Sequence, residues 1–306
     1  MDDKIEMANE AQKLKITNIK ARLLKRFRLQ CAKFTLTNSW FIFKCKSLYR
    51  AAAKKRPDSS KLLIIGGNSD IACAFRKKLT QQRIEYCFTA RDRKAEADFL
   101  LDYDDPESIV KFINETDFHA YKTIIFFTGY LNPESDDLPR EPNMHISSPY
   151  ICDSRNFFDK HTRINAFYPY MIARLIGQKL MAQEKESVHN QTLKTKSKNF
   201  VFITSSIGTS RQTIFPNLYF YRAGKAALHA MLSALFLELN TIQAPNKKLI
   251  KFGILLLGPG SVLSRMNPYG SITTDESAKF IAPIIMNPAT SGLFLFMDHL
   301  KRRIYL

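Results

Sequence analysis

At 306 residues, with 45% apolar and 24% charged residues, the chain has ordinary globular usage and the length for one large domain or two modest ones, which excludes a disordered protein. Only 11 Gly and 13 Pro rule out collagen-like and low-complexity chains, and the longest uncharged apolar-leaning runs, 34–43 and 254–263, are too short to span a bilayer. The 46 Lys+Arg against 28 Asp+Glu give a formal charge of +18, and residues 1–60 carry +10 of it.

That skew ends at Lys54-Lys55-Arg56-Pro57-Asp58-Ser59-Ser60, a charge run followed by breakers. The reading is a basic extension over 1–60 and a domain over 61–306. In the extension, Leu14, Ile16, Ile19, Leu23, Leu24 and Phe27 are interleaved with lysines and arginines, and Trp40, Phe41 and Phe43 follow. The pattern suits a basic amphipathic helix making peripheral contact with an anionic membrane, and it equally suits a solvated arm. Asp2, Asp3, Glu6 and Glu10 come first, which argues against a secretory signal. The basic residues match no nucleic-acid reader, so no nucleic-acid partner is expected. The five cysteines lack CxxC spacing and the six histidines lack HExxH or HxxxH. Neither a disulfide framework nor a metal centre is expected, and a reducing, cytoplasmic compartment fits best.

From Lys61 onward, apolar runs alternate with helical patterns. Strands are expected over 62–65, 85–90, 99–101, 123–128, 199–204, 249–256 and 293–297, and helices over 71–82, 106–114, 163–183, 219–239 and 274–286. Short Val-, Ile- and Phe-rich runs without polar alternation are what strands covered on both faces look like. The alternation predicts an α/β fold, a doubly wound parallel sheet in a single domain. Ligands bind such sheets beyond the carboxyl ends of the strands, and the chain's motifs follow strands.

The first is Leu62-Leu63-Ile64-Ile65-Gly66-Gly67-Asn68-Ser69-Asp70-Ile71-Ala72, an apolar strand turning into a helix whose N–H groups and dipole suit a pyrophosphate. Asp70 stands where such a loop has a glycine, and it could instead cap the helix. The second strand ends in Ala90-Arg91, and an arginine there favours the extra phosphate of NADP(H) over NAD(H). Tyr221 is the one tyrosine of twelve with a lysine, Lys225, four residues on. On a helix that spacing sets phenol and ammonium side by side, and the cation lowers the phenol's pKa for acid/base work. A strand ending in Thr204-Ser205-Ser206 lies just upstream.

In this order, over 61–306, these features resemble the short-chain dehydrogenase/reductase family, and within it the branch of C-factor-like proteins and small carbonyl reductases. Thr128-Gly129-Tyr130-Leu131-Asn132, Tyr221-Arg222-Ala223 and Ser291-Gly292-Leu293-Phe294 carry the closer likeness. The resemblance implies a Rossmann-type oxidoreductase that passes a hydride between nicotinamide and a small carbonyl or alcohol substrate. It puts the catalytic group on Asn165, Ser205, Tyr221 and Lys225, with Ser206 or Thr204 as alternatives to Ser205. Tyr221 is then the acid/base, Lys225 keeps it acidic and holds the ribose, Ser205 supports the alkoxide, and Asn165, expected at a helix start, holds a water. Cofactor contacts fall on Gly66, Ser69, Asp70 and Ile71 at the phosphates, Arg91 at the adenosine ribose and Asp102 at the adenine. Thr128 and Gly129 line the fourth-strand turn, with Pro259, Gly260 and Val262 near the nicotinamide.

The chain departs from the family in two places. Phe126-Phe127-Thr128-Gly129 replaces Asn-Asn-Ala-Gly, and the glycine loop is altered at two positions. A nucleotide-binding signalling protein of the same fold, with little or no turnover, is therefore the alternative. Substrate selectivity is expected from 133–150 and 264–274. The small, apolar helix over 223–239 must be buried in the core or against a second copy in a homodimer.

Overall fold

The structure, a computed structural model, describes residues 61–92, 96–131, 148–187, 196–209, 218–241, 250–288, 290 and 292–304. The expected basic extension over 1–60 and most of the 133–150 stretch lie outside the described residues.

Seven strands form one sheet in the order β3-β2-β1-β4-β5-β6-β7. They are β1 (Lys61–Ile65), β2 (Tyr86–Ala90), β3 (Phe99–Leu100), β4 (Tyr121–Phe126), β5 (Lys196–Ile203), β6 (Ile250–Gly258) and β7 (Phe294–Asp298). Every neighbouring pair is parallel. The order reverses between β1 and β4, so the crossovers leave that point toward opposite faces and open a crevice above the strand ends.

The helices are α1 (Asp70–Gln81), α2 (Pro106–Glu115), α3 (Ser148–Thr162), α4 (Tyr168–Ser187), α5 (Tyr219–Thr241) and α6 (Thr274–Met286). On one face α1 packs against α6, and on the other α2 packs against α4 and α4 against α5. Each start is chemically marked. Ser69 Oγ accepts from Ala72 N at 3.3 Å, Asp105 caps a helix with Pro at its first position, and Thr273 and Glu276 form a reciprocal capping box. Such caps contribute about 0.5–2 kcal/mol each. The helix expected over 163–183 belongs to a continuous rod over 148–187, made of α3, a π turn (Arg163–Phe167) and α4.

Leucine and isoleucine make up most of the core, and stacked phenylalanines join neighbouring strands within it. Phe126 stacks on Phe202 with centroids 4.4 Å apart, and Phe200 stacks on Phe252 at 6.0 Å. Full burial of such side chains is worth about 1.5–3 kcal/mol each. Two lysines tie this core to the chain's carbonyl groups. Lys198 Nζ donates to the carbonyls of Phe118, His119 and Tyr121 at 3.0, 2.9 and 2.6 Å. Lys179 Nζ donates to those of Ile113, Asn114 and Thr116, at the C-terminal end of α2, where carbonyls lack helical partners.

Lys198 is buried, so Lys198→Met takes a charged donor away from each of three carbonyls. Urea denaturation should show a loss of about 2–4 kcal/mol, whereas Lys251→Met, on an exposed position of β6, should stay within about 0.5 kcal/mol.

Candidate active site

The sequence-predicted residues gather at the carboxyl ends of β1, β4, β5 and β6. Gly66 follows β1 with φ +78°, a conformation that side chains rarely adopt, and a methyl on it would stand 3.2 Å from Thr128 Cγ2. Thr89 Oγ1 accepts from Gly66 N at 3.1 Å, and Gly67 N donates to Thr89 O at 2.9 Å. The turn is thus pinned to β2 before Ser69 caps α1, with Ile71 in the helix's first turn. β4 ends at Phe126 rather than at residue 128, which puts Thr128 and Gly129 in the turn that faces Gly66.

Beyond that turn, α5 brings its working face to the rim. A methyl on Gly129 would lie 3.7 Å from Lys225 Nζ and 3.8 Å from Asn165 Oδ1, so three elements converge on one point. Lys225 Nζ sits 5.5 Å from the centroid of the Tyr221 ring. Lys225 is buried, and burial pushes its ammonium down to about 8. The expected lowering of Tyr221 is not what the chain alone produces: burial pushes the phenol up to about 12. Desolvation, which disfavours the charged form of each group, is the cause of both shifts.

Asn165 sits in the π turn in mid-rod, not at a helix start. Pro169 supplies the cause. It has no N–H to give the Asn165 carbonyl four residues back, and the helix widens so that Tyr168 N–H bonds to Arg163 O. The Asn165 amide is engaged at both ends, its Oδ1 accepting from Tyr130 N at 2.9 Å and its Nδ2 donating to Tyr130 O at 2.7 Å. The side chain therefore fixes the Gly129–Tyr130 turn.

Ser205 caps the short 3-10 turn Ser206–Gly208, its Oγ accepting from Ile207 N at 3.3 Å. That turn rests on α5, where a methyl on Gly208 would meet Lys225 Cβ at 2.8 Å. Thr204, an alternative to Ser205, is buried and 2.8 Å from His229 Nε2, which directs it into the core.

Pro259 O accepts from Ser277 Oγ at 2.8 Å, Gly260 turns at φ +90°, and Val262 bridges to Ile272. Asp102, after β3, accepts Asp104 N on Oδ1 at 3.0 Å, while Arg91 is exposed just beyond β2. Both lie at the β2–β3 edge, away from the Tyr221–Lys225 point. Asp70 is committed to Arg265, with Nη2 to Oδ1 at 2.7 Å, and this contact holds its carboxyl below the usual range.

Three site residues carry no motif. His229 lies one turn beyond Lys225 on the same face, and burial together with the Lys225 charge pushes it down to about 3, so it is neutral. Its spacing from Lys225 was the available signal. Met266 reaches toward Gly129, its Cε 3.5 Å from a methyl placed there. Arg265 joins Asp70 across 195 residues, and no local pattern announces that. Thr204→Val, which leaves His229 Nε2 buried without its partner, should lower stability by about 1–3 kcal/mol in thermal or urea unfolding, with Thr204→Ser near wild type.

No family model matches the chain, and no curated protein sequence is similar to it. Its fold is similar to solved structures. The carbonyl reductase Sniffer of D. melanogaster is 16% identical with a TM-score of 0.58, over 81% of this chain and 99% of that one. A Burkholderia multivorans protein with bound NADP is 17% identical at TM-score 0.57, over 82% and 100%. An NADPH-bound carbonyl reductase from chicken fatty liver is 16% identical at TM-score 0.56, over 81% and 94%. These likenesses establish the Rossmann-type fold.

Proposed function

We propose that the chain is a short-chain dehydrogenase/reductase of the carbonyl reductase kind, using NADP(H). The observation that carries this reading is the convergence of Lys225, Asn165 and the β4 turn on one point beside Tyr221, at the rim where the strand order reverses. The NADP or NADPH named in the fold neighbours supports it.

The loop suits a dinucleotide. Gly66 turns at φ +78°, where a side chain is strained, and a methyl there would press on Thr128 Cγ2 at 3.2 Å, so a bare backbone at this turn suits close approach of a phosphate. Gly66, Ser69 and Ile71 would hold the phosphates, Arg91 the adenosine ribose with its phosphate, and Asp102 the adenine. Thr128 and Gly129 would line the turn, and Pro259, Gly260 and Val262 the nicotinamide. When bound, the nicotinamide supplies or accepts the hydride. In the reducing direction Tyr221, kept protonated by burial, gives its proton to the carbonyl oxygen. Lys225 in its charged form draws the phenol's pKa down and binds the ribose. Ser205 donates to the developing alkoxide, support worth about 3–4 kcal/mol. The Asn165 carbonyl, deprived by Pro169 of its α-helical donor, is the group to hold a water on the proton path.

Two partner readings accompany this. α5 shows an exposed stripe of Ala223, Ala226, Ala230, Ala234 and Leu237, which suits a homodimer. Among the described residues no helix is long and apolar enough to cross a membrane, so membrane contact is proposed only for the basic arm.

The test is NADPH oxidation over a panel of aldehydes and quinones. Tyr221→Phe should lower kcat at least about 100-fold, within the range of lost acid/base catalysis, and leave NADPH binding nearly intact. Equal binding and zero turnover in both forms would favour the signalling alternative. The sign of the pH dependence follows from Lys225. With a pKa of about 8, it is charged below pH 8 and loses its proton above, so kcat/KM for reduction should be level below pH 8 and fall above it.

A further inference from the structure

The helix start that would receive a pyrophosphate already carries an anion. Asp70 is the first residue of α1, directly after the Ser69 cap, so its charge stands beside the N–H groups and positive dipole end of that helix. A second anion there is opposed by like charge unless a cation intervenes.

Arg265, from the turn after β6, is that cation. Its Nε donates to Asp70 Oδ1 at 2.8 Å, its Nη2 approaches the same oxygen at 2.7 Å, and its backbone N donates to Oδ2 at 2.8 Å. Nη2 also reaches Asn68 O at 3.4 Å, so the guanidinium lies over the loop between β1 and α1. The partners differ in exposure: the Asp70 side chain is 26% exposed and that of Arg265 is 80% exposed. The acid is partly covered, while the arginine presents its outer edge to solvent. A planar guanidinium can serve a carboxylate or a phosphate with the same fork of donors.

The turn bearing Arg265 is otherwise held by its own bonds. Ser264 and Asn267 exchange backbone hydrogen bonds at 3.0 Å in each direction, and Leu263 N donates to Ile272 O at 2.8 Å. Movement of the Arg265 side chain therefore leaves the turn intact. The next residue, Met266, is the one that reaches toward Gly129 beside Lys225, so the same turn touches both the phosphate loop and the acid/base point.

We propose that Arg265 is a dinucleotide-phosphate ligand and that Asp70 holds it in place until the pyrophosphate arrives. Asp70 acts as a stand-in anion, and binding exchanges a carboxylate for a phosphate on one guanidinium. The proposal rests on the dinucleotide reading above. It also accounts for an acid in a phosphate loop without making that loop defective.

The test is a fluorescence titration of the full chain with NADPH, for wild type, Asp70→Asn, Arg265→Gln and the double variant, each checked for a wild-type circular dichroism spectrum. Asp70→Asn releases Arg265 and removes the competing charge, so it should bind at least 5-fold tighter. Arg265→Gln should bind at least 10-fold weaker, and the double variant should lose the gain from Asp70→Asn. Arg265→Gln binding as tightly as wild type overturns the proposal. So does Asp70→Asn weakening binding as much as Arg265→Gln, the mark of a strap that stays closed on the bound cofactor. Failure of all four folded forms to bind NADPH instead overturns the dinucleotide reading, and the exchange falls with it.

Discussion

A lysine enclosed without an ion-pair partner among the described residues is the constraint around which the site is built. Taking an ammonium out of water costs several kcal/mol even after relaxation, and Lys225 is 2% exposed. That cost is tolerable only because α5 is held tightly on every side that matters. A methyl on Gly208 would overlap Lys225 Cβ and Ala226 N, one on Gly224 would press at 3.2 Å on Asn165 and the His161 carbonyl, His229 bonds Thr204 at the end of β5, and Leu228, Leu232, Leu235 and Leu239 fill the core beneath. The apolar packing of one helix thus underwrites a charge that contributes nothing to stability by itself.

The two phenylalanines that follow each other at the end of β4 show how that strand end is held. Successive residues point to opposite faces. Phe126 stacks on Phe202 on one face, while Phe127 packs 5.4 Å from Phe75 of α1 on the other. Aromatic packing on both faces holds the strand end, and a polar tether follows in the next turn, where Asn165 grips the backbone of Tyr130.

Much of this was legible in the sequence because it is local. Uninterrupted apolar runs such as Leu62–Ile65 give the buried strands and the Tyr221–Lys225 spacing puts two side chains on one helix face, whereas the cap the sequence suggests at Asp70 is supplied one residue earlier by Ser69. What escaped depends on residues far apart or on a competing signal. The α3 segment has few apolar positions and a weak period, so it read as loop. Asn165 stands in the first turn of the helix expected over 163–183, whereas the rod already runs from residue 148 and only widens its hydrogen bonding there. The expected depression of the Tyr221 pKa follows from its neighbour alone, and the desolvation that raises it instead is a property of the assembled fold.

The π turn has a geometric consequence for the rod that contains it. His161 lies before it, with its carbonyl against Gly224 of α5, and Gly177 lies after it, against Leu239 near the other end of α5. In an unbroken α-helix, sixteen residues at 3.6 per turn would leave those two contacts about 160° apart around the axis. Absorbing one residue in the wide turn brings them to about 60°. The inserted residue is a phase correction: it lets a single long rod keep one side toward its neighbour along the whole length, where regular winding would have carried half of it out to solvent.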